Sequence, residues 1–325
     1  MMKYYVGAYA ASPNQSGWNP ELETAYYDAL KQLANVRGLE HPFLGQLHAQ
    51  YDDWFLTNIK PDWDYVFTCI PGIMNALSQN PRFGLASEDE TGRQAALSFM
   101  RQACEAVAKL NAHLGRNAVQ AVMLQSAPAR NNAKSSAAAF QASLETLLQW
   151  DWQGARLVVE HCDAWLSSHT PSKGFLSLQD ELDVICHLNA DNAAKMPLGV
   201  VINWGRSVFE TRRVEGAAEH ISMAQQAGAL AGVMFSGVSD KDSEYGAWRD
   251  SHQPAQSSKL VKYGEAGSWM TEQAMQQCLA SCNNAKALPI LGVKIGVRPH
   301  SATIDTRLGY IRDALAILDR YFNAG

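Results

Sequence analysis

Short apolar runs alternate with longer amphipathic stretches along the whole chain. Eight runs are compact and rich in Val, Ile, Leu, Phe or Tyr: 3–8, 38–43, 64–69, 118–124, 156–160, 197–203, 231–236 and 290–295. A strand covered on both faces reads as such a continuous apolar run, as the strands of a parallel sheet do. Between the runs the period changes. Ala96, Met100, Ala103, Val107 and Leu110 step by three and four, which predicts a helix over 91–114 that Gly115 stops. A helix is expected over 21–35, with Asn19 as its N-cap and Pro20 as its first residue. Others are expected over 143–150, 178–189, 215–227, 271–282 and 306–321.

Eight strands, most of them followed by a helix, predict an α/β fold of the (β/α)8 TIM barrel type, a parallel eight-stranded ring with long βα loops. The 325 residues exceed the roughly 250 typical of such barrels, and no Pro/Gly/Ser linker divides them, so 1–325 is expected to be one domain. The competing arrangement is an open doubly wound sheet. No Gly-x-Gly-x-x-Gly turn follows the first strand to support it. The stretch from Gly237 to Ser268 is polar and aperiodic, and a loop of that length is expected to serve function, here as a lid over 237–268.

Charge narrows the function. Lys and Arg number 27 against 32 Asp and Glu, a net charge of −5, with no run of like charges. No nucleic-acid or anionic-membrane partner is expected from that balance. Residues 1–7 lack the apolar stretch of a secretory signal, and no segment approaches the ~18 apolar residues that cross a bilayer. A cytoplasmic protein is expected. The six scattered cysteines read as reduced thiols in the core. A small-molecule site is the remaining class.

In a barrel of this kind the site forms at the carboxyl ends of the strands. The polar residues there are Glu40 and His41, Gln125 and Ser126, Glu160 with His161 and Asp163, Asn203 with Arg206, Ser236, and Lys294 with Arg298. Trp248 and His252 join them from the 237–268 stretch. Glu160 closes a run, Leu157-Val158-Val159, fit for complete burial, so its carboxylate needs a cation, a metal or several donors. In the last run Val293 and Ile295 share one face, which turns Gly292, Lys294 and Gly296 to the other and predicts an inward Lys294.

The order of these segments resembles a known superfamily. Ala106-Val107-Ala108-Lys109-Leu110-Asn111-Ala112-His113-Leu114-Gly115 followed by 119–123 looks like the helix-to-strand unit of the xylose-isomerase-like barrels, the sugar isomerases and epimerases. Gly38-Leu39-Glu40-His41-Pro42 is similar to their second strand, and Gly154-Ala155-Arg156-Leu157-Val158-Val159-Glu160 to their fifth. The resemblance implies that Glu160 is a metal ligand or proton-transfer base. It also implies a cage for Mn²⁺ or Mg²⁺ completed by Asp or His, His, and Glu at the ends of the sixth, seventh and eighth strands. Asn203, Ser236 and Lys294 stand there instead, so the chain resembles a bacterial branch with altered ligands. Either acidic residues and His252 of 237–268 supply ligands, or Lys294 takes the cation position and pairs with Glu160. In the second case Arg206, Lys294 and Arg298 clamp a carboxylate or phosphate while Asn203, Gln125 and Glu40 bond hydroxyls.

The expected function is therefore a sugar or sugar-acid isomerase or epimerase, with Glu160 and Lys294 catalytic and Glu40, His41, Gln125, Asn203, Arg206, Ser236, Trp248, His252 and Arg298 on the substrate. The alternatives are a Schiff-base lyase or aldolase using Lys294 and a non-catalytic sugar-binding protein. Barrels of this type commonly pair, and a homodimer is the expected assembly.

Overall fold

Eight parallel strands close in chain order into a barrel: β1 (Tyr4–Val6), β2 (Val36–Pro42), β3 (Asp64–Thr68), β4 (Val119–Leu124), β5 (Arg156–His161), β6 (Gly199–Asn203), β7 (Leu230–Phe235) and β8 (Ile290–Val293). The computed structural model describes residues 2–15, 17–191 and 196–323. Pairing of Tyr5 with Gly292 and Val6 with Val293 joins the first strand to the last, so the ring has no free edge. Around it lie α1 (Pro20–Leu30), α2 (Asp52–Asn58), α3 (Ile70–Gln79), α4 (Glu90–Leu114), α5 (Ala137–Leu148), α6 (Leu178–Asp191), α7 (Trp204–Thr211), α8 (Gly216–Gln226), α9 (Glu272–Ala280) and α10 (Ile304–Asn323). This is the (β/α)8 barrel that the strand pattern predicts. None of the described helices is long and apolar enough to cross a membrane.

Local chemistry sets the helix ends. Asn19 accepts from the Leu22 amide ahead of Pro20, and Asp89 accepts from the Gly92 amide to start α4. Gly115, at φ 64°, ends α4 in the left-handed conformation that glycine adopts without penalty. The helix expected over 21–35 stops at Leu30. Three helices, α2, α3 and α7, have no counterpart in the sequence pattern. Pro71 marks the first turn of α3 rather than only the end of the strand before it, and α7 is only eight residues long, too short for a repeating period to be read.

Two cores result. The larger lies between the strands and the helices; the smaller fills the barrel with Tyr5, Val66, Ala121, Met123, Val158, Val201, Ala231, Met234 and Ile290. Continuing the two-residue period of the strands past this plug places one residue of each strand in the next layer: Gly7, Glu40, Thr68, Gln125, Glu160, Asn203, Ser236 and Lys294. All eight are buried. The apolar plug is the floor of this polar layer, which is the candidate site.

Candidate active site

Glu160 is the hub of the layer. Its Oε1 lies 2.8 Å from Arg206 Nη1 and 3.3 Å from Lys294 Nζ, and accepts from Asn203 Nδ2 at 3.4 Å. Its Oε2 accepts from Gln125 Nε2 at 3.0 Å and Thr68 Oγ1 at 3.3 Å. Burial opposes its ionisation, but Arg206 and Lys294 prevail and hold the carboxyl down at about 2. The buried carboxylate thus has the cations and donors its position demands.

Glu40 is placed differently. Lys294 Nζ stands 2.7 Å from its Oε1, and no other donor reaches either Glu40 oxygen among the described residues. Burial pushes this carboxyl up to about 7, with Lys294 offsetting only part of the effect. Gly7 makes the pair sterically possible, because a Cβ there would lie 2.7 Å from Glu40 Oε2 and 2.9 Å from Lys294 Cγ. Lys294 is held protonated: burial works against the ammonium, and Glu160 and Glu40 overcome it.

Arg206 is carried by the first turn of α7, which the Asn203 side chain caps. Beyond Glu160 the guanidinium donates from Nη1 to Cys162 Sγ at 3.3 Å and from Nε to Asp250 Oδ2 at 3.2 Å. Asp250 Oδ2 also meets Lys173 Nζ at 3.1 Å, and its Oδ1 lies 3.4 Å from His252 Nδ1. His252 Nδ1 is 2.8 Å from Ser236 Oγ. Burial, which its neighbouring Asp250 resists, drives His252 down to about 3, so the ring is neutral.

Of the residues singled out from the sequence, Glu40, Gln125, Asn203, Arg206, Ser236, His252 and Lys294 therefore gather around Glu160. The others lie elsewhere. His41 points out of the barrel, its Nε2 donating to the Leu47 carbonyl and its ring 4.3 Å from that of Phe55. Trp248 packs edge-on to Trp269 at 4.9 Å and under the Arg212 guanidinium at 3.9 Å. Arg298 donates to its neighbour's carbonyl and lies over Tyr245, away from the cluster. Thr68, Gly7 and Lys173 are additions that the pattern missed. For Thr68 and Gly7 the signal was present in the two-residue period; Lys173 stands in a loop with no period to read.

Behind β5 a second buried network faces the helices. His161 Nδ1 is 2.7 Å from Glu181 Oε2 and its Nε2 is 3.1 Å from Glu210 Oε2, while His220 Nδ1 is 2.9 Å from Ser207 Oγ. It ties α6, α7 and α8 to the strand that carries Glu160.

The metal cage of the related barrels does not fit these residues. Both Glu160 oxygens are filled by donors, Asn203 Oδ1 caps α7, and the Lys294 ammonium stands between the Glu40 and Glu160 carboxylates, where it repels a divalent ion. The lysine supplies the positive charge at that point.

Comparison with known structures agrees with the topology. The chain is similar to D-psicose 3-epimerase crystallised in the presence of D-fructose, at 13% identity and a TM-score of 0.56 over 100% of both chains. It is also similar to a sugar phosphate isomerase/epimerase from Parabacteroides distasonis, at 11% identity and TM-score 0.52 over 98% of both. A xylose isomerase-like TIM barrel/4-hydroxyphenylpyruvate dioxygenase fusion protein matches 99% of this chain and 43% of its own, at 14% identity and TM-score 0.54. These likenesses agree with the (β/α)8 barrel fold. In sequence, the uncharacterized protein STM3670 of Salmonella typhimurium is 34% identical over 319 residues, covering 98% of this chain and 97% of that one. With a family model matching residues 5–310 as well, the chain belongs to the family described as a domain of unknown function, DUF4862.

Proposed function

We propose that this protein is a sugar or sugar-acid isomerase or epimerase that works by proton transfer at the C-terminal end of the barrel. One observation carries the reading: a buried carboxylate, Glu40, faces a buried ammonium, Lys294, at 2.7 Å, and no other donor reaches either of its oxygens among the described residues. Moving a proton between adjacent sugar carbons needs a base within about 3 Å of the carbon-bound hydrogen and a positive group for the developing enediolate oxygen. Glu40, with its pKa near neutrality, suits the first role and Lys294 the second. Glu160, already ionised and bonded on both oxygens, anchors Lys294 and Arg206. Gln125 Oε1, also buried and without a hydrogen-bond partner among the described residues, is a contact for a substrate hydroxyl.

A cavity of about 370 Å³ lies over β1 and β2, lined among others by Tyr9, Asn14, Gln15, Trp18, His41 and His48. The Tyr9 ring separates it from Lys294 Nζ, 5.8 Å away. The Schiff-base reading gains no support, because Lys294 between two carboxylates offers no free amine. Six unpaired cysteines suit a reducing, cytoplasmic setting.

Solvent-deuterium exchange into a panel of aldoses, ketoses and sugar acids tests the proposal. The wild-type chain should wash deuterium into one carbon position of its substrate. Glu40→Gln should slow this by about 10²–10⁴-fold with an unchanged circular dichroism spectrum. Full exchange by Glu40→Gln, or trapping of a borohydride adduct on Lys294, would remove Glu40 from the mechanism.

A further inference from the structure

Asp250 is a carboxylate of the chain itself, seated between cations at the rim of the polar layer. We propose that Arg206 and Lys173 form a subsite for the carboxylate of a sugar acid, which Asp250 fills in this closed form. The sugar part of this inference rests on the function proposed above; the subsite rests on its own geometry.

The cradle is built without Asp250. Arg206, 2% exposed, is fixed by Glu160 at 2.8 Å, by Cys162 and by its place in the first turn of α7. Lys173 is positioned through its backbone amide, which donates to Asp163 Oδ2 at 2.9 Å. Arg206 Nε and Lys173 Nζ converge on one Asp250 oxygen, at 3.2 and 3.1 Å, and His252 lies beside the other.

The occupant, by contrast, arrives on a loop. Within 237–268 there is no helix or strand of length, only the bridge between Gly237 and Gln253. Asp250 is flanked by Trp248 at φ 49° and His252 at φ 56°, left-handed conformations that cost non-glycine residues energy. Outside it a groove of about 530 Å³, lined by Thr170, Ser172, Lys173, Arg212 and Trp248, leads to the cradle.

Charge selects the ligand. Asp250 is the carboxylate that Arg206 Nε and Lys173 Nζ share. Its withdrawal removes one negative charge from beside two cations at a buried place, which is costly. One carboxylate replaces that charge. A neutral sugar does not, and a phosphate dianion brings more than was withdrawn.

Isothermal titration of the full chain with D-glucuronate, D-glucose and D-glucose 6-phosphate tests this. Asp250→Asn, which keeps the shape and removes the competing charge, should bind D-glucuronate at least about tenfold more tightly than wild type, with D-glucose unchanged. In the wild-type background Lys173→Gln should weaken D-glucuronate by about tenfold, a second readout should Asp250→Asn fail to fold. Equal D-glucuronate affinity in wild type and Asp250→Asn, no effect of Lys173→Gln, no detectable D-glucuronate binding, or a larger gain for D-glucose 6-phosphate would each overturn the subsite. Affinity is read apart from turnover. Tighter D-glucuronate binding without deuterium exchange would sink the proton-transfer reading and leave the subsite, and exchange without the gain would do the reverse.

Discussion

At Gly7 a single methyl group competes with the Glu40–Lys294 pair. The backbone there is at φ −74°, open to any residue, so alanine brings no conformational penalty of its own. Its Cβ would collide with Glu40 Oε2 and Lys294 Cγ. Gly7→Ala should cost about 1–3 kcal/mol by overpacking and should suppress deuterium exchange, measured as a urea midpoint and a rate on the same preparation. The two carboxylates also respond oppositely to pH. Glu160 falls from an ordinary 4.5 to about 2 on folding, so its contribution is complete above 4.5 and is lost as pH falls through 2. Glu40 rises from 4.5 to about 7, so its contribution is complete below 4.5 and is lost as pH climbs through 7. Urea midpoints between pH 4 and 8 should therefore decline in the wild type relative to Glu40→Gln. Exchange, which needs the Glu40 carboxylate, should instead rise through about pH 7; a rate flat across that range would count against Glu40 as the base.

At the scale of the element, α7 does most to shape the site and is the least visible in the sequence. Its first turn puts Arg206 on Glu160, and its later turn sends Glu210 to His161. At eight residues the helix is shorter than the window over which a period can be read, so the sequence pattern predicts no helix at Trp204–Thr211. Strands fared better, since a doubly covered parallel strand announces itself by composition alone, and the two-residue period then turns Glu40, Gln125, Glu160, Asn203 and Lys294 inward. That period ends with the strand, which is why it says nothing about Arg298, Trp248 or the Lys173–Asp250 contact. The outer network has its own signature. His161 is held up to about 10 because Glu181 and Glu210 outweigh the burial that opposes its charge. Its stabilising effect is present below 6.5 and is lost as pH rises through 10. His161→Gln, which leaves two buried carboxylates facing no cation, should destabilise by about 3–5 kcal/mol at pH 7. The gap from wild type should narrow toward pH 10, as thermal melts at the two pH values would show.

The pairing of Glu40 with Lys294 is a property of the whole molecule, because β2 and β8 approach each other only through β1. Closure is what brings residues from opposite ends of the chain together, and α10 fastens it. Asp319 accepts from Tyr4 Oη and Asn35 Nδ2, both at 2.8 Å, which binds the last helix to the first strand and to the turn before the second. At the other end of α10, Arg307 is 1% exposed and donates to the carbonyls of Ala11 at 2.9 Å and Ser12 at 3.0 Å, and to those of Ala302 and His300. It therefore holds the loop that follows β1, and with it Tyr9, against the helix that closes the ring. Arg307→Met fills much of the same volume but leaves those acceptors without their donor. Because bonds to a charged group are worth roughly 1.5–3 kcal/mol, the urea midpoint should fall by the equivalent of about 3 kcal/mol. Deuterium exchange should slow as Tyr9 loses its fixed place beside Lys294. A variant with the wild-type midpoint and rate would show that the ring closes, and the acid meets the amine, without help from this residue.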